Sequence, residues 1–410
     1  MLAISAAAMF AIPVPAVAET ELLPSRLEIS GFGTLGVVRT DTDHAEYSRD
    51  QSQHKGATSS LTARQDSLIG LQAYFRASDT LEFVAQGVSR YGPRANYRPE
   101  LMAAFAKFAA TPNVSLRAGR MGVEFYMLAD SRLVGYSYLT VRPPVDFFAT
   151  LPFQYVNGAD VTLTTPLGDG VLKAKAFAGQ AGEDAPIYNE LLSLRGNPLL
   201  GGYLDYQSGA WQWRMTYAQM QFKHELPAPV STLRDSLTQA SLAGFPSAAI
   251  AADRIAVGNT TSRYSSVGAV YDKGPLQIQG MLGEIRHEST LYQNVRAGYV
   301  IGGYRLGEFT PFAAYSWSRS RAKSLTSGLP DVVPAFALIN AGLAGALART
   351  HLDQNTFSLG ARWDFRRDMA LKAQVDMVRG ARDSIFLYPI NDAGFNGKLN
   401  VFSLALDFVF

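Results

Sequence analysis

The 410-residue chain contains no cysteine, which excludes disulfide frameworks and thiolate metal sites. It also has no charge surplus: 37 Lys and Arg stand against 35 Asp and Glu, a formal charge of +2. A nucleic-acid-binding protein would show a basic excess gathered on one face, so nucleic acid is set aside as a partner. The five histidines (His44, His54, His224, His287, His351) stand apart, with no pair at the i, i+4 spacing of a zinc helix. Nucleophile-elbow and P-loop patterns are missing, and no cofactor is expected. The uncharged run 332–348 falls short of the about 20 residues that a membrane-crossing helix needs, and it holds Pro334 and Asn340. It reads instead as a helix on an outer rim or against a neighbouring subunit. A second surface helix is expected in "TLRDSLTQASLAGF", which carries Leu233, Leu237 and Leu242.

Glycine (36), tyrosine (19) and phenylalanine (23) are plentiful, as in β-rich chains with many turns. The stretch "GFGTLG" (Gly31–Gly36) has the G-x-G-x-x-G spacing of a dinucleotide-binding turn. Such a turn opens a helix, whereas here β-branched residues and then a long polar run follow, so the glycines serve bending and close strand contact. Residues 2–18 are uncharged and end in "AVA" before Glu19, which predicts a removed signal peptide at 1–18 and a mature domain at 19–410. The usual basic start of such a signal is missing, so the natural start is expected upstream of Met1.

Beyond Glu19, segments of about ten residues alternate at period two. In "VFSLALDFVF", Phe402, Leu404, Leu406, Phe408 and Phe410 share one face. In "ALKAQVDMV", Lys372, Gln374 and Asp376 face away from Leu371, Ala373, Val375 and Met377. Arg117, Lys175 and Arg296 are among the charges assigned to the polar face. Very short connections, near Ser78, Pro112, Gly168, Gly209, Gly274, Gly307 and Arg367, alternate with long ones at roughly 40–60, 92–99, 122–156, 181–198, 222–261, 287–293, 321–355 and 381–397. That asymmetry predicts an all-β transmembrane antiparallel barrel of about 16 strands, with short periplasmic turns and long extracellular loops. Closure removes the free edges that so many apolar strands would expose.

These features, together with Phe410 ending an aromatic strand, resemble the Gram-negative general porins over nearly the whole mature chain. The resemblance implies an outer-membrane location among lipid, and a water-filled channel for passive diffusion of small hydrophilic solutes and ions. It also implies a homotrimer, and an assembly signal at Phe410 read by the barrel-assembly machinery. In that family the third loop folds inward and its acidic residues face arginines across the pore. Glu124, Asp130 and Asp146 are then candidates for the acidic side, and Arg64, Arg90, Arg117 and Arg120 for the basic side. The prolines of "RPPVDFF" predict a turn at Pro143 and Pro144 rather than a helix. A substrate-selective channel is the nearest alternative, and a barrel hydrolase with rim-borne Ser, His and Asp is the rival from another class.

Overall fold

The computed structural model describes residues 26–410 apart from 51, 128, 130, 152, 153, 188, 189, 385 and 390–393. The expected signal segment, residues 1–18, lies outside the described residues. Sixteen strands form a closed antiparallel barrel. In chain order they are β1 (Leu27–Thr40), β2 (Leu68–Arg76), β3 (Leu81–Arg90), β4 (Glu100–Thr111), β5 (Val114–Gly122), β6 (Tyr155–Leu167), β7 (Gly170–Ala181) and β8 (Pro198–Ser208). There follow β9 (Trp211–Gln221), β10 (Thr261–Lys273), β11 (Leu276–His287), β12 (Asn294–Tyr304), β13 (Phe309–Arg321), β14 (Asp353–Arg366), β15 (Met369–Gly380) and β16 (Lys398–Val409). Each pairs with its chain neighbours, and β1 pairs with β16 to close the ring. Both ends of the barrel sequence therefore lie at the rim of the tight turns.

The seven tight turns stand where the sequence placed them. Gly168 and Gly274 turn with φ of +56° and +60°, a region open to glycine and strained for other residues. The first long connection runs on to residue 67, past the expected boundary near 60. Alternation holds around the wall: Ile29 and Leu35 on β1 are 70% and 62% exposed, while Phe32 and Thr34 between them are buried. Outward aromatic rings gather near the turn rim, with Trp211 stacked on Trp213 at 5.6 Å and Phe309 on Trp363 at 5.4 Å. Such a girdle, below a band of Leu, Val and Met, is the outer surface of a lipid-spanning barrel. At the seam, Gly31 and Gly33 of "GFGTLG" lie under the rings of Phe410 and Phe408, and a Cβ on either glycine would collide with its ring.

The long connections carry the helices: α1 (Val145–Phe148), α2 (Val230–Leu242), α3 (Pro246–Arg254) and α4 (Pro334–Ala348). Helix α1 corrects the expectation of a plain turn. Pro144 stands at its N-cap and accepts the N–H of Phe147 and Phe148, a position where the missing proline N–H costs nothing. Helix α4 packs beside α2 and α3, where Phe336 meets Phe245 edge-on at 5.0 Å. The main hydrophobic core lies inside the lumen. Phe125, Tyr126, Met127, Phe147 and Phe148, all between β5 and β6, are buried against Tyr264, Met281 and Tyr299 of the inner wall. The described residues of the third connection, between 123 and 154, thus form an inward segment.

Candidate pore constriction

The inward segment enters the lumen directly after β5, and its first charge is Glu124. Arg117 of β5 donates to Glu124 at 2.7 Å, Lys175 of β7 at 2.7 Å, and the Tyr203 hydroxyl of β8 at 2.8 Å. Arg117 also clasps Asp160 of β6 at 2.5 Å, and Lys175 lies 3.8 Å from the same carboxylate. Two cations and two carboxylates balance in one cluster. Recession from water alone would lift the Glu124 carboxyl, but Lys175 and Arg117 hold it well below the usual carboxylate range. A step along the wall, Arg214 pairs with Asp205 at 2.5 Å and also reaches the backbone carbonyl of Tyr126.

On the opposite side the segment is pinned by Arg142. Its guanidinium donates to Asp66 at 2.9 and 2.7 Å, to Asp376 at 2.8 Å and to Ser403 at 2.5 Å. All three acceptors lie close to the β1–β16 seam, and the arginine is almost wholly buried. Neighbouring backbone is held too: Lys372 donates to the carbonyls of Gly135 and Thr140, and Arg362 to those of Tyr136 and Tyr138. Asp146 on α1 is fully buried against the wall, accepting from Ser316 at 2.5 Å and from Gln354. Burial raises its proton affinity, and among the described residues its hydrogen-bond donors are neutral. At the segment's far end, Glu183 accepts the N–H of Gln154 at 2.7 Å and of Tyr155 at 2.9 Å, and desolvation lifts its pKa to about 7.

The structure brings Glu124 and Arg117 together, 2.7 Å apart. The other expected residues are dispersed. Arg90 faces inward and pairs with Asp50 of the first connection at 3.2 Å. Arg64 is exposed at the loop rim, over the Tyr91 ring at 5.7 Å. Asp130 lies outside the described residues. Arg120 requires a correction. It pairs in register with Ala104 and Asn157, whereas Arg117 pairs with Lys107 and Asp160, so the two arginines occupy opposite faces. Residues three apart on a strand cannot both point inward. Arg120 instead bonds Asn157 at 2.9 Å and the Leu101 carbonyl, on the outer face. Arg296 is corrected likewise: it lies outward on β12, bonded to Glu284 at 2.9 Å. The residues missed are Arg142 and its acceptors, Asp66 and Ser403, which sit far from it along the chain. No local pattern marks them.

Water reaches the inner face most clearly on β2–β4. There Gln86 donates to Gln72 at 3.0 Å, Lys107 to Glu82 at 3.0 Å, and Arg76 remains exposed.

No protein-family model matches the chain, and no curated protein matches it. Solved structures do match. OmpT of Vibrio cholerae aligns with a TM-score of 0.52 at 12% identity, over 95% of this chain and 99% of that one. An anion-selective porin from Comamonas acidovorans aligns at 0.53 and 11%, over 94% and 99%. The outer membrane channel DcaP of Acinetobacter baumannii aligns at 0.53 and 13%, over 94% and 97%. At these identities the likeness is one of fold. With its closed ring, apolar outer band and charged inner rows, the chain has the fold of the sixteen-stranded outer-membrane porins of Gram-negative bacteria.

Proposed function

We propose that the protein is an outer-membrane porin through which small hydrophilic solutes and ions diffuse passively. The observation that carries this reading is the two-faced wall: apolar outward rows that fit lipid, and inward rows that keep wetted Gln72, Gln86, Glu82 and Lys107. A lumen lined in this way lowers the cost of moving a hydrated solute across the bilayer. The inward segment narrows that lumen, and the cluster of Arg117, Glu124, Asp160 and Lys175 is our candidate for its charged constriction. Assembly as a homotrimer fits a solved trimer form of Vibrio cholerae OmpT. We further propose export by cleavage after residue 18, and recognition of Phe410 by the barrel-assembly machinery.

Single-channel recording in a planar bilayer tests the reading. The refolded protein is expected to add stable, ohmic steps in groups of three; a barrel that resists unfolding in detergent at room temperature, inserts, and yet adds no current would sink it. The hydrolase rival has one feature on its side, a Ser262 hydroxyl 2.6 Å from Nδ1 of His287. Among the described residues no carboxylate bonds that ring, so the orienting member of a triad is missing. A channel is therefore the better reading.

A further inference from the structure

Among the described residues, the acidic side chains of the inward segment are turned to its docking, Glu124 on Arg117 and Lys175, and Asp146 on Ser316 and Gln354. Cations are what the segment presents elsewhere. Where it meets the first connection, a cavity of about 40 Å³ is lined by Arg49, Asp50, Ser52, Arg132, Leu133, Pro143, Phe148, Leu151 and Gln154. Space of this size takes a carboxylate head in place of a few waters, and the cleft is open at its mouth, so a short chain can extend from it.

Its charges are unevenly satisfied. Asp50 is taken by Arg90 at 3.2 Å and by Ser52. Arg49 lies 3.7 Å from Asp66, a carboxylate whose two oxygens already accept from Arg142. Among the described residues, Arg132 makes no ion pair within 4.0 Å; Glu183 is the next carboxylate to feel it. Burial works against the Arg132 charge, which marks a cation short of compensation. The same lining includes Leu133, Pro143, Phe148 and Leu151, an apolar share of the cleft wall.

We propose that this cleft is a selectivity site for small organic acids: Arg49 and Arg132 hold the carboxylate and the apolar share of the wall receives the hydrocarbon body. Guanidinium groups suit carboxylates because their planar N–H pairs match the two oxygens. The site deepens the channel reading and rests on it, and it places the anion-recognising charges on two loops instead of on the barrel wall. A neutral isostere would gain the apolar contact alone.

Butyrate and butyramide are the probes, applied to wild-type protein in a bilayer bathed in KCl. Butyrate is expected to reduce the chloride-carried current saturably, and butyramide to leave it unchanged. Arg132→Gln is expected to weaken the butyrate effect about tenfold, the loss of one charge-assisted hydrogen bond; Arg49→Gln serves as the second variant if the first does not fold. Equal effects of the two probes on wild type, or an unchanged butyrate response in folded variants, would overturn the site. Saturation-transfer NMR on detergent-folded protein separates the two readings. Butyrate contact without bilayer current keeps the site and removes the channel, whereas current without butyrate contact does the reverse.

Discussion

The inner wall has two contrasting halves. Along β2–β4 the inward side chains are polar, bonded to one another across strands and open to water, as in Gln72–Gln86 and Glu82–Lys107. Along β10–β13 the inward positions include Tyr264, Met281, Tyr299, Ile301 and Phe312, all buried, four of them within the lumen's own core. Both halves obey the same period-two alternation. The difference lies in what each faces. The first faces solvent, and the second faces Phe125, Tyr126, Phe147 and Phe148 of the inward segment, with ring centroids 5.1 Å apart for Phe147 and Tyr299. A barrel wall facing a folded segment takes on the character of a soluble protein's interior.

The most forceful way to break the contrast is to cut the anchor of the segment. Arg142→Ala leaves Asp376 buried without its cation and Asp66 with only the more distant Arg49, a change that costs about 3–5 kcal/mol. The dry half is then expected to flood, read as a larger and noisier single-channel conductance and as loss of the heat-resistant form on gels. Met281→Ala attacks the dry half itself. It removes a buried side chain whose sulfur also receives the Met127 N–H at 3.2 Å, and about 2–5 kcal/mol of stability is expected to be lost in denaturant titration, with conductance nearly unchanged. If stability stays constant, the apolar half is not a packed core.

Glu183 provides a smaller, reversible test at the segment's end. Its folded pKa of about 7 exceeds the unfolded value of about 4.3. The folded state therefore holds the extra proton between these limits, and the stabilisation, complete at acid pH, is lost as pH rises through 7. The effect is on the order of 2 kcal/mol between pH 5 and 8, and Glu183→Gln is expected to flatten the profile of melting temperature against pH. Smallest in stability is Lys107→Glu on the wet half, where an exposed pair contributes about 0–1 kcal/mol. Its signature is electrical: the reversal potential in a salt gradient moves toward cation preference, and less so at 1 M salt, where the screening length is about 3 Å. Arg117→Glu is expected to move it the same way but with a stability loss as well, because Arg117 belongs to the balanced cluster with Glu124 and Asp160.

Much of the barrel was legible because β-strands write their two faces into adjacent residues. "VFSLALDFVF" and "ALKAQVDMV" announced both their strands and their orientation, and glycine-bearing turns marked the breaks. The dry half was harder. In "NVRAGYVIGGY" the inward row Val295, Ala297, Tyr299 and Ile301 is more apolar than the outward row, which carries Asn294 and Arg296, so a rule that sends polar side chains to the lumen puts Arg296 on the wrong side. Arg120 was different, since its three-residue offset from Arg117 already required the opposite face. Arg142 was illegible: its acceptors lie 76, 234 and 261 residues away, and only the closed ring brings them together.

That last arrangement also imposes an order in time. Asp66 precedes β2, Asp376 belongs to β15 and Ser403 to β16, so the three acceptors become neighbours only once the first and last strands have met. Loop-closure entropy makes contacts across such sequence distances the late events of folding. Until then Arg142 lacks its assembled acceptors, so the inward segment can rest on β10–β13 through Phe147 and Phe148 but has no anchor on the far wall. A barrel nascent in the membrane is on this view a wide and wet ring, and its narrowing is the final act of its own maturation.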